Sequence, residues 1–210
     1  MSGFSPLEFI QQIINGLTLG SIYALIAIGY TMVYGIIGMI NFAHGEIYMI
    51  GAYVGLLVIT ALGLFGMDSI PAILLATLAI SILVTGAYGW TVERLAYRPL
   101  RGSPRLVPLI SAIGVSIFLQ NYVQIGQGAR DVSMQPLLSG GWRFGSEDSF
   151  QVYLSYMQVL IAVVTVAFMA GLSLFIARSR MGRACRACSE DRGMANLLGI
   201  DTNRVIALTF

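Results

Sequence analysis

Long apolar runs without charge constrain this chain more than any other feature. Between residues 9 and 91 the only Asp, Glu, Arg, Lys or His side chains are His44, Glu46 and Asp68, and residues 106–129 and 149–177 carry none. A helix crosses the hydrocarbon core of a bilayer with about 20 apolar residues. Only 10% of the 210 residues are charged, whereas a soluble domain averages about a quarter. A soluble fold of ordinary shape is excluded, and we expect an all-α, polytopic integral membrane protein.

These runs predict five complete spans and the start of a sixth, within a single transmembrane domain over residues 1–210. The five predicted spans are residues 6–38, 47–64, 71–93, 106–126 and 154–177. A sixth opens at Val205, and the six apolar residues that remain span nothing. We therefore expect the chain to be C-terminally incomplete.

The 12 basic residues predict the topology, because every one is an arginine and most lie in two dense blocks. One block lies in residues 93–105 and the other in residues 178–192, while residues 127–153 hold only Arg130 and Arg143. Arginine-rich loops stay in the cytoplasm, so both blocks are predicted to be cytoplasmic and residues 127–153 external. Blocks that flank spans in this way indicate membrane topology and no nucleic-acid partner.

The missing residue types exclude several kinds of chemistry. A chain without lysine has no P-loop lysine, so it cannot bind ATP in the P-loop manner by itself. One histidine and two cysteines are too few for a four-ligand Cys/His zinc site or an H-E-x-x-H motif. We therefore expect no metal and no cofactor in this chain. Cys185 and Cys188 form a C-x-x-C pair whose redox or zinc role stands against the simpler interpretation of two reduced thiols on a helix.

A polar cluster of Asn41, His44 and Glu46 separates the first two spans. The 59 residues from 9 to 67 would extend roughly 88 Å as one helix, so a core of about 30 Å requires a reversal within them. Two interpretations stay open. The cluster lies at membrane depth, where a broken helix must line protein or a cavity, or it forms a solvated cytoplasmic turn.

Small residues recur at helical spacing in the first three spans. They are Gly16, Gly20 and Ala24, then Gly51 and Gly55, then Thr77, Ser81, Thr85 and Gly89. Such stripes let helix backbones approach closely in lipid, so we interpret them as helix-packing surfaces, with a pathway-lining role as the alternative.

The cytoplasmic segment 178–203 is too polar to span, and its composition predicts a helix over residues 183–198 that ends at Gly199. One predicted face carries small and apolar side chains, namely Ala184, Ala187, Asp191, Met194, Ala195 and Leu198. A compact face of this kind suits docking into a groove of another protein, with Arg183 and Arg186 at the rim and Asp191 fixing the register. The alternative is a basic amphipathic helix lying on anionic lipid.

Three sequence blocks carry a resemblance to a known family. The blocks are GLTLGSIYALIAIGYTMVYG (16–35), GMINFAHGE (38–46) and GRACRACSED (182–191) followed by LLGI (197–200). They resemble the LivH/LivM permease family of branched-chain amino acid ABC importers. The resemblance implies an ABC importer permease fold in a bacterial inner membrane and no ATPase site in this chain. It implies as partners a second permease, two ATP-binding subunits and a periplasmic amino-acid-binding protein, besides membrane lipid.

The resemblance also assigns roles to residues. It places the coupling element to the ATP-binding subunits on Gly182, Arg183, Ala184, Arg186, Ala187, Asp191 and Gly199. We expect Asn41, His44 and Glu46 to lie near the translocation pathway. Permeases for urea, an amide or a sugar would share this architecture, and a secondary transporter or channel would need no ATP-binding partner. An intramembrane enzyme would need a nucleophile with a base or a metal cluster, and the single His44 supplies neither.

Overall fold

The computed structural model describes residues 6–38, 40–104, 106–134, 136–145 and 151–210, so Arg105 of the first arginine block lies outside the described residues. Within them, five helices are long and apolar enough to cross a membrane. They are α1 (Pro6–Ile37), α2 (Ala43–Leu64), α3 (Ile70–Val92), α4 (Leu106–Gln127) and α5 (Tyr156–Arg178). The five predicted spans are thereby confirmed, and the chain is a multi-pass membrane protein dominated by helices.

Shorter helical segments follow two of the spans. α3 continues through a π turn at Glu93–Tyr97 and a 3-10 turn at Arg98–Leu100. Beyond α5 lie α6 (Arg180–Glu190), α7 (Arg192–Leu197) and α8 (Thr202–Thr209). The predicted opening of a sixth span at Val205 falls inside α8.

Two short strands are an addition that the sequence did not predict. β1 (Gly141–Phe144) pairs antiparallel with β2 (Val152–Ser155), with Gly141 opposite Ser155. A Cβ on Gly141 would overlap the carbonyl oxygen of Leu154, so the close strand approach requires glycine there. Four residues a strand are too few for a clear alternation of apolar and polar side chains.

The chain divides into two compact units. The first contains residues 6–28 of α1, the two strands and α5 through residue 177. Side-chain amides hold the start of α1 in this unit: Gln11 accepts from the Tyr153 amide N–H and donates to the Tyr153 carbonyl. Asn15 accepts from both Gln11 and Gln158 at 3.1 Å, which ties α1 to α5.

The second unit contains residues 29–134 and 178–210, and its centre is α2 packed against α3 and α4. A Cβ on Gly51 would lie 2.9 Å from Thr85 Cγ2, and one on Gly55 would lie 3.5 Å from Thr77 Cγ2. Side chains of α3 therefore occupy the space beside the small residues of α2, as the packing interpretation predicts. Two buried clusters form the core. One contains Ala43, Ile50, Val92, Tyr97, Ala112, Leu119 and Val123, and the other contains Ile36, Cys185, Cys188, Ala195, Val205 and Ile206.

Candidate functional site

The reversal between α1 and α2 is built around the side chain of Asn41. Gly38, at a φ of 72°, ends α1, and the Asn41 side chain is buried with 4% exposure. Its Oδ1 accepts from the Ala43 amide N–H at 3.0 Å and from the Tyr97 hydroxyl at 2.6 Å. A buried amide with two donors on its oxygen is held by the fold, so the solvated-turn interpretation does not describe Asn41.

His44 and Glu46 begin α2 and are half-buried. The His44 ring lies edge-on to Tyr30, with centroids 4.7 Å apart, and a Cβ on Gly29 would lie 2.5 Å from its Nε2. Glycine at position 29 therefore makes room for the imidazole. Glu46 Oε1 accepts from the Ser116 hydroxyl of α4 at 2.9 Å. The structure thus brings Asn41, His44 and Glu46 together at the start of α2, against α1, α4 and the π turn after α3.

A buried ion pair that the sequence analysis missed lies at the end of α3. Glu93 is 1% exposed, and its carboxylate pairs with Arg101, whose guanidinium also donates to the Asn203 side chain. A buried carboxylate needs such a partner. The sequence feature that could have indicated this ion pair is a single acidic residue at the end of an apolar span, eight positions before an arginine. Through Arg101 the first arginine block contacts Asn203 of segment 178–203, and the cytoplasmic location of both arginine blocks stays a prediction.

Residues 180–197 form two helices, so the prediction of one helix over residues 183–198 is wrong. Asp191 has extended backbone angles between α6 and α7, and its side chain accepts from the Met194 amide N–H at 3.0 Å. Asp191 is therefore the N-cap of α7, where an aspartate is favoured over the helix interior. Ser179 caps α6 and Asp201 caps α8 in the same way. Gly199, at a φ of 82°, follows α7 as predicted.

The residues of the predicted docking face differ in burial. Gly182, Cys185 and Cys188 are buried, and Ala184 and Ala187 pack half-buried against their cluster. These two alanines therefore pack partly against their own chain, and their contact with another subunit stays a prediction. Among the exposed side chains are Arg183 and Arg186 of α6, with Met194, Leu197 and Leu198 at and beyond α7, so Met194 and Leu198 of the predicted face are open.

Burial also sets the chemistry of the cysteine pair. Both thiols are free, and burial raises the pKa of Cys188, with Cys185 adding to the rise and Arg192 opposing it. Burial and the nearby Arg101 lower the pKa of Arg192. A thiol that keeps its proton is a poor nucleophile and a poor metal ligand. In the part of the chain that the structure describes, no group of three His, Cys, Asp or Glu side chains could hold a metal ion.

The two sets of candidate residues are connected by packing within the second unit. Tyr97, the partner of Asn41, has its ring 5.1 Å from the Phe210 ring, and Phe210 packs against the cluster that contains Cys188. The start of α2 and the inner face of α6 therefore share contiguous buried neighbours.

Known proteins resemble this chain over nearly its whole length. The family described as branched-chain amino acid transport system / permease component matches residues 12–210. The permease protein BraD of Pseudomonas aeruginosa is 61% identical over 203 residues, which cover 97% of this chain and 66% of BraD. LivH of Escherichia coli is 58% identical over 204 residues, covering the same shares. The chain is also similar to LivM of Escherichia coli, at 29% identity over 92% of this chain and 47% of LivM. The chain thus spans 66% of the length of BraD and LivH. No solved structure matches it.

Proposed function

The chain belongs to the family of branched-chain amino acid transport system permeases, and we propose that it is a membrane-spanning subunit of an ATP-driven importer of these amino acids. It would lie in the bacterial inner membrane beside a second permease, with two ATP-binding subunits in the cytoplasm and an amino-acid-binding protein in the periplasm. The names of its relatives support this proposal, since BraD and LivH are high-affinity branched-chain amino acid permeases.

The α6–α7 pair is the observation that carries the coupling part of the proposal. Leu197 is 84% exposed and Leu198 74% exposed, although both lie outside the spanning helices. Two adjacent leucines open to water favour an interaction surface. We assign them, with Arg183 and Arg186, to contact with the ATP-binding subunits. Gly182, Ala184 and Ala187 hold α6 in place, while Asp191 and Gly199 set where α7 begins and ends.

Coupling would proceed through the packed connection between α6 and the start of α2. Closure of the two ATP-binding subunits would move α6 and α7, and the cluster around Cys188 would pass the movement to Phe210 and Tyr97. Tyr97 holds Asn41, the residue at which α1 reverses into α2. A shift there would change which side of the membrane the pathway faces, as alternating access requires.

Within that scheme we place Asn41, His44 and Glu46 beside the cytoplasmic part of the translocation pathway. Asn41 is committed to the fold by its two hydrogen bonds, whereas Glu46 is half-buried and has Ser116 as its hydrogen-bonding side chain. Glu46→Gln preserves the shape and an acceptor oxygen but removes the charge. We expect this variant to assemble normally and to import more slowly. Unchanged uptake at equal expression would show that the charge of Glu46 is not needed for transport.

Uptake of labelled leucine tests the proposed function directly. The chain is expressed with a LivM-type permease, the two ATP-binding subunits and the binding protein in cells that lack their own system. We expect uptake that isoleucine and valine compete for and that stops when the ATP-binding subunits are omitted. Competition by urea or a sugar instead would show that the importer carries a different solute. Uptake without the ATP-binding subunits would indicate a secondary transporter or channel.

A further inference from the structure

The buried ion pair joins the end of the third span to a helix that follows the fifth. Glu93 opens the π turn after α3 and is 1% exposed, and Arg101 follows the 3-10 turn. The two terminal nitrogens of the Arg101 guanidinium have different partners, since Nη2 donates to Glu93 Oε1 and Nη1 donates to Asn203 Oδ1. Asn203 lies in the first turn of α8. We call the contact among Glu93, Arg101 and Asn203 the guanidinium bridge, and it connects positions 102 residues apart.

α8 is itself packed onto α6, so the guanidinium bridge holds more than one short helix. Val205 and Ile206 of α8 are buried in the same cluster as Cys185 and Cys188 of α6. The Cys185 Sγ also lies 3.7 Å from the Thr209 Oγ1, within hydrogen-bonding distance for sulfur. A shift of α6 must therefore either carry α8 with it or break this cluster.

The charges around Arg101 give Glu93 a specific electrostatic role. Burial lowers the pKa of Arg192 on α7, and the nearby charge of Arg101 lowers it further. In the part of the chain that the structure describes, Glu93 is the carboxylate that pairs with Arg101. Without that carboxylate, two guanidinium groups would repel each other where the end of α3 meets the helices after α5. Glu93 therefore keeps two like charges close together.

Stability alone does not account for the guanidinium bridge. A buried ion pair is weak evidence for stability, because apolar residues of similar volume often replace it without loss. An apolar pair at positions 93 and 101 would have nothing to donate to Asn203, which is exposed and belongs to another helix. A guanidinium presents its donors in a rigid plane, so it can orient two partners at once. The ion pair thus supplies a directed contact between the end of α3 and the start of α8.

We propose that Glu93 and Arg101 are positioning residues for the coupling of ATP hydrolysis to transport. The guanidinium bridge fixes α8, and α6 through α8, against the end of α3, so that movement of α6 reaches the spanning helices. This inference rests on the proposed function for the movement of α6. It adds a polar connection at the start of α8 to the packed connection through Phe210. Both residues act through Asn203 and need no contact with the transported solute.

Substitution of Asn203 tests the proposal without disturbing the core, because its side chain is exposed. The complex with a LivM-type permease and both ATP-binding subunits is reconstituted in liposomes with leucine-loaded binding protein. For Asn203→Ala we expect the leucine imported per ATP hydrolysed to fall at least about fivefold while the subunits stay together. Asn203→Asp keeps an acceptor oxygen for Arg101 and should restore the parent ratio. Arg204→Ala is the matched control, because its exposed side chain has no hydrogen bond or ion pair among the described residues.

A double variant separates positioning from stability. Glu93→Met with Arg101→Met replaces the ion pair by apolar side chains, so we expect the thermal unfolding midpoint of the detergent-solubilised chain to stay the same or rise. Leucine imported per ATP should fall as far as in Asn203→Ala, because neither methionine can donate to Asn203. A lower midpoint, with uptake lost only in proportion to the unfolded fraction, would assign the pair to stability and overturn the proposal.

Leucine transport by the parent complex distinguishes failure of this inference from failure of the proposed function. If the parent imports leucine with ATP, normal coupling in Asn203→Ala or no rescue by Asn203→Asp would overturn this inference alone. A parent complex without ATP-driven uptake would overturn the proposed function instead. Hydrogen exchange still reports on the bridge in that case, because the α8 amides should exchange faster in Asn203→Ala than in Arg204→Ala. Equal exchange in the two variants would show that Arg101 does not hold α8.

Discussion

α1 and α2 carry the same pattern of small residues four positions apart, but their surroundings differ. In α2, Gly51 and Gly55 meet Thr85 and Thr77 of α3 in ordinary or tighter contact. In α1, Gly16 and Gly20 line an open groove between α1 and α5, and a Cβ on either would have no atom within 4 Å. The comparison teaches that a small-residue stripe identifies a surface for close helix approach and does not identify the helix that approaches. That helix can belong to the same chain or to another.

Leucine substitution at the glycines of α1 and α2 tests this comparison and has the largest expected effect. In Gly51→Leu the new Cβ alone lies 2.9 Å from Thr85 Cγ2, so α3 must move away. Overpacking typically costs about 1–3 kcal/mol. We expect a clear drop in the thermal unfolding midpoint of the detergent-solubilised chain. Gly16→Leu should leave the midpoint of the isolated chain unchanged, and equal losses in the two variants would show that both stripes are filled.

The α6–α7 pair offers a second contrast between a filled and an open surface. The inner face of α6 is packed against its own chain, whereas Leu197 and Leu198 are exposed. Burying one leucine contributes about 1.5–3 kcal/mol. The double variant Leu197→Ser and Leu198→Ser should therefore reduce capture of the ATP-binding subunits by at least about tenfold and barely change stability.

Leu64→Ser is the control for that experiment, because Leu64 is 85% exposed but ends α2 away from the cytoplasmic segment. If the double variant captures ATP-binding subunits normally but loses affinity for anionic vesicles, α7 lies on lipid and is not the docking surface.

Two hydroxyl groups test the same comparison, with smaller expected changes in stability. Tyr97→Phe removes the 2.6 Å hydrogen bond to the buried Asn41, which should cost about 1 kcal/mol. Thr165→Val removes a hydroxyl that has no partner in the described chain and should cost the isolated chain nothing. Unfolding of the two variants side by side measures the difference. A destabilised Thr165→Val chain would reveal a bond to Thr165 within the chain itself.

The smallest expected effect is chemical and tests how tightly α6 is packed. Burial raises the pKa of Cys188, so at pH 8 its thiol is less ionised than that of an ordinary cysteine, and its alkylation should accelerate as the pH rises above the ordinary range for cysteine. We expect iodoacetamide to label Cys188 slowly in the folded chain and rapidly in denaturing detergent. Fast labelling at pH 8 without denaturant would indicate that the inner face of α6 is open.

The spans were predictable because their signal is local and strong. A charge-free run of 20 or more residues such as 106–129 leaves few alternatives to a spanning helix. The break at Asp191 was missed because the surrounding residues favour helix. Aspartate is a residue type that N-caps favour, and Asp191 does accept from the Met194 amide N–H. The same residue also fits the predicted helix face.

The sequence singles out the residues of the candidate site but not their contacts. Asn41, His44 and Glu46 stand out because polar side chains are costly between two apolar spans. Tyr97 lies 56 positions from Asn41 and Ser116 lies 70 positions from Glu46, and no local sequence pattern predicts such pairs. For the same reason the exposure of Leu197 and the partial burial of Ala187 could not be predicted from spacing, since both faces of the segment carry apolar residues.

The amide of Gln11 has a consequence for how the protein is made. It occupies both backbone groups of Tyr153, as a neighbouring strand would, across a separation of 142 residues. A ribosome releases Gln11 first, and three further spans must enter the membrane before Tyr153 emerges. Contacts of such long separation close late. The start of α1 therefore lacks its final partner through most of translation, and we expect Gln11 to pair with Tyr153 only after α5 has inserted.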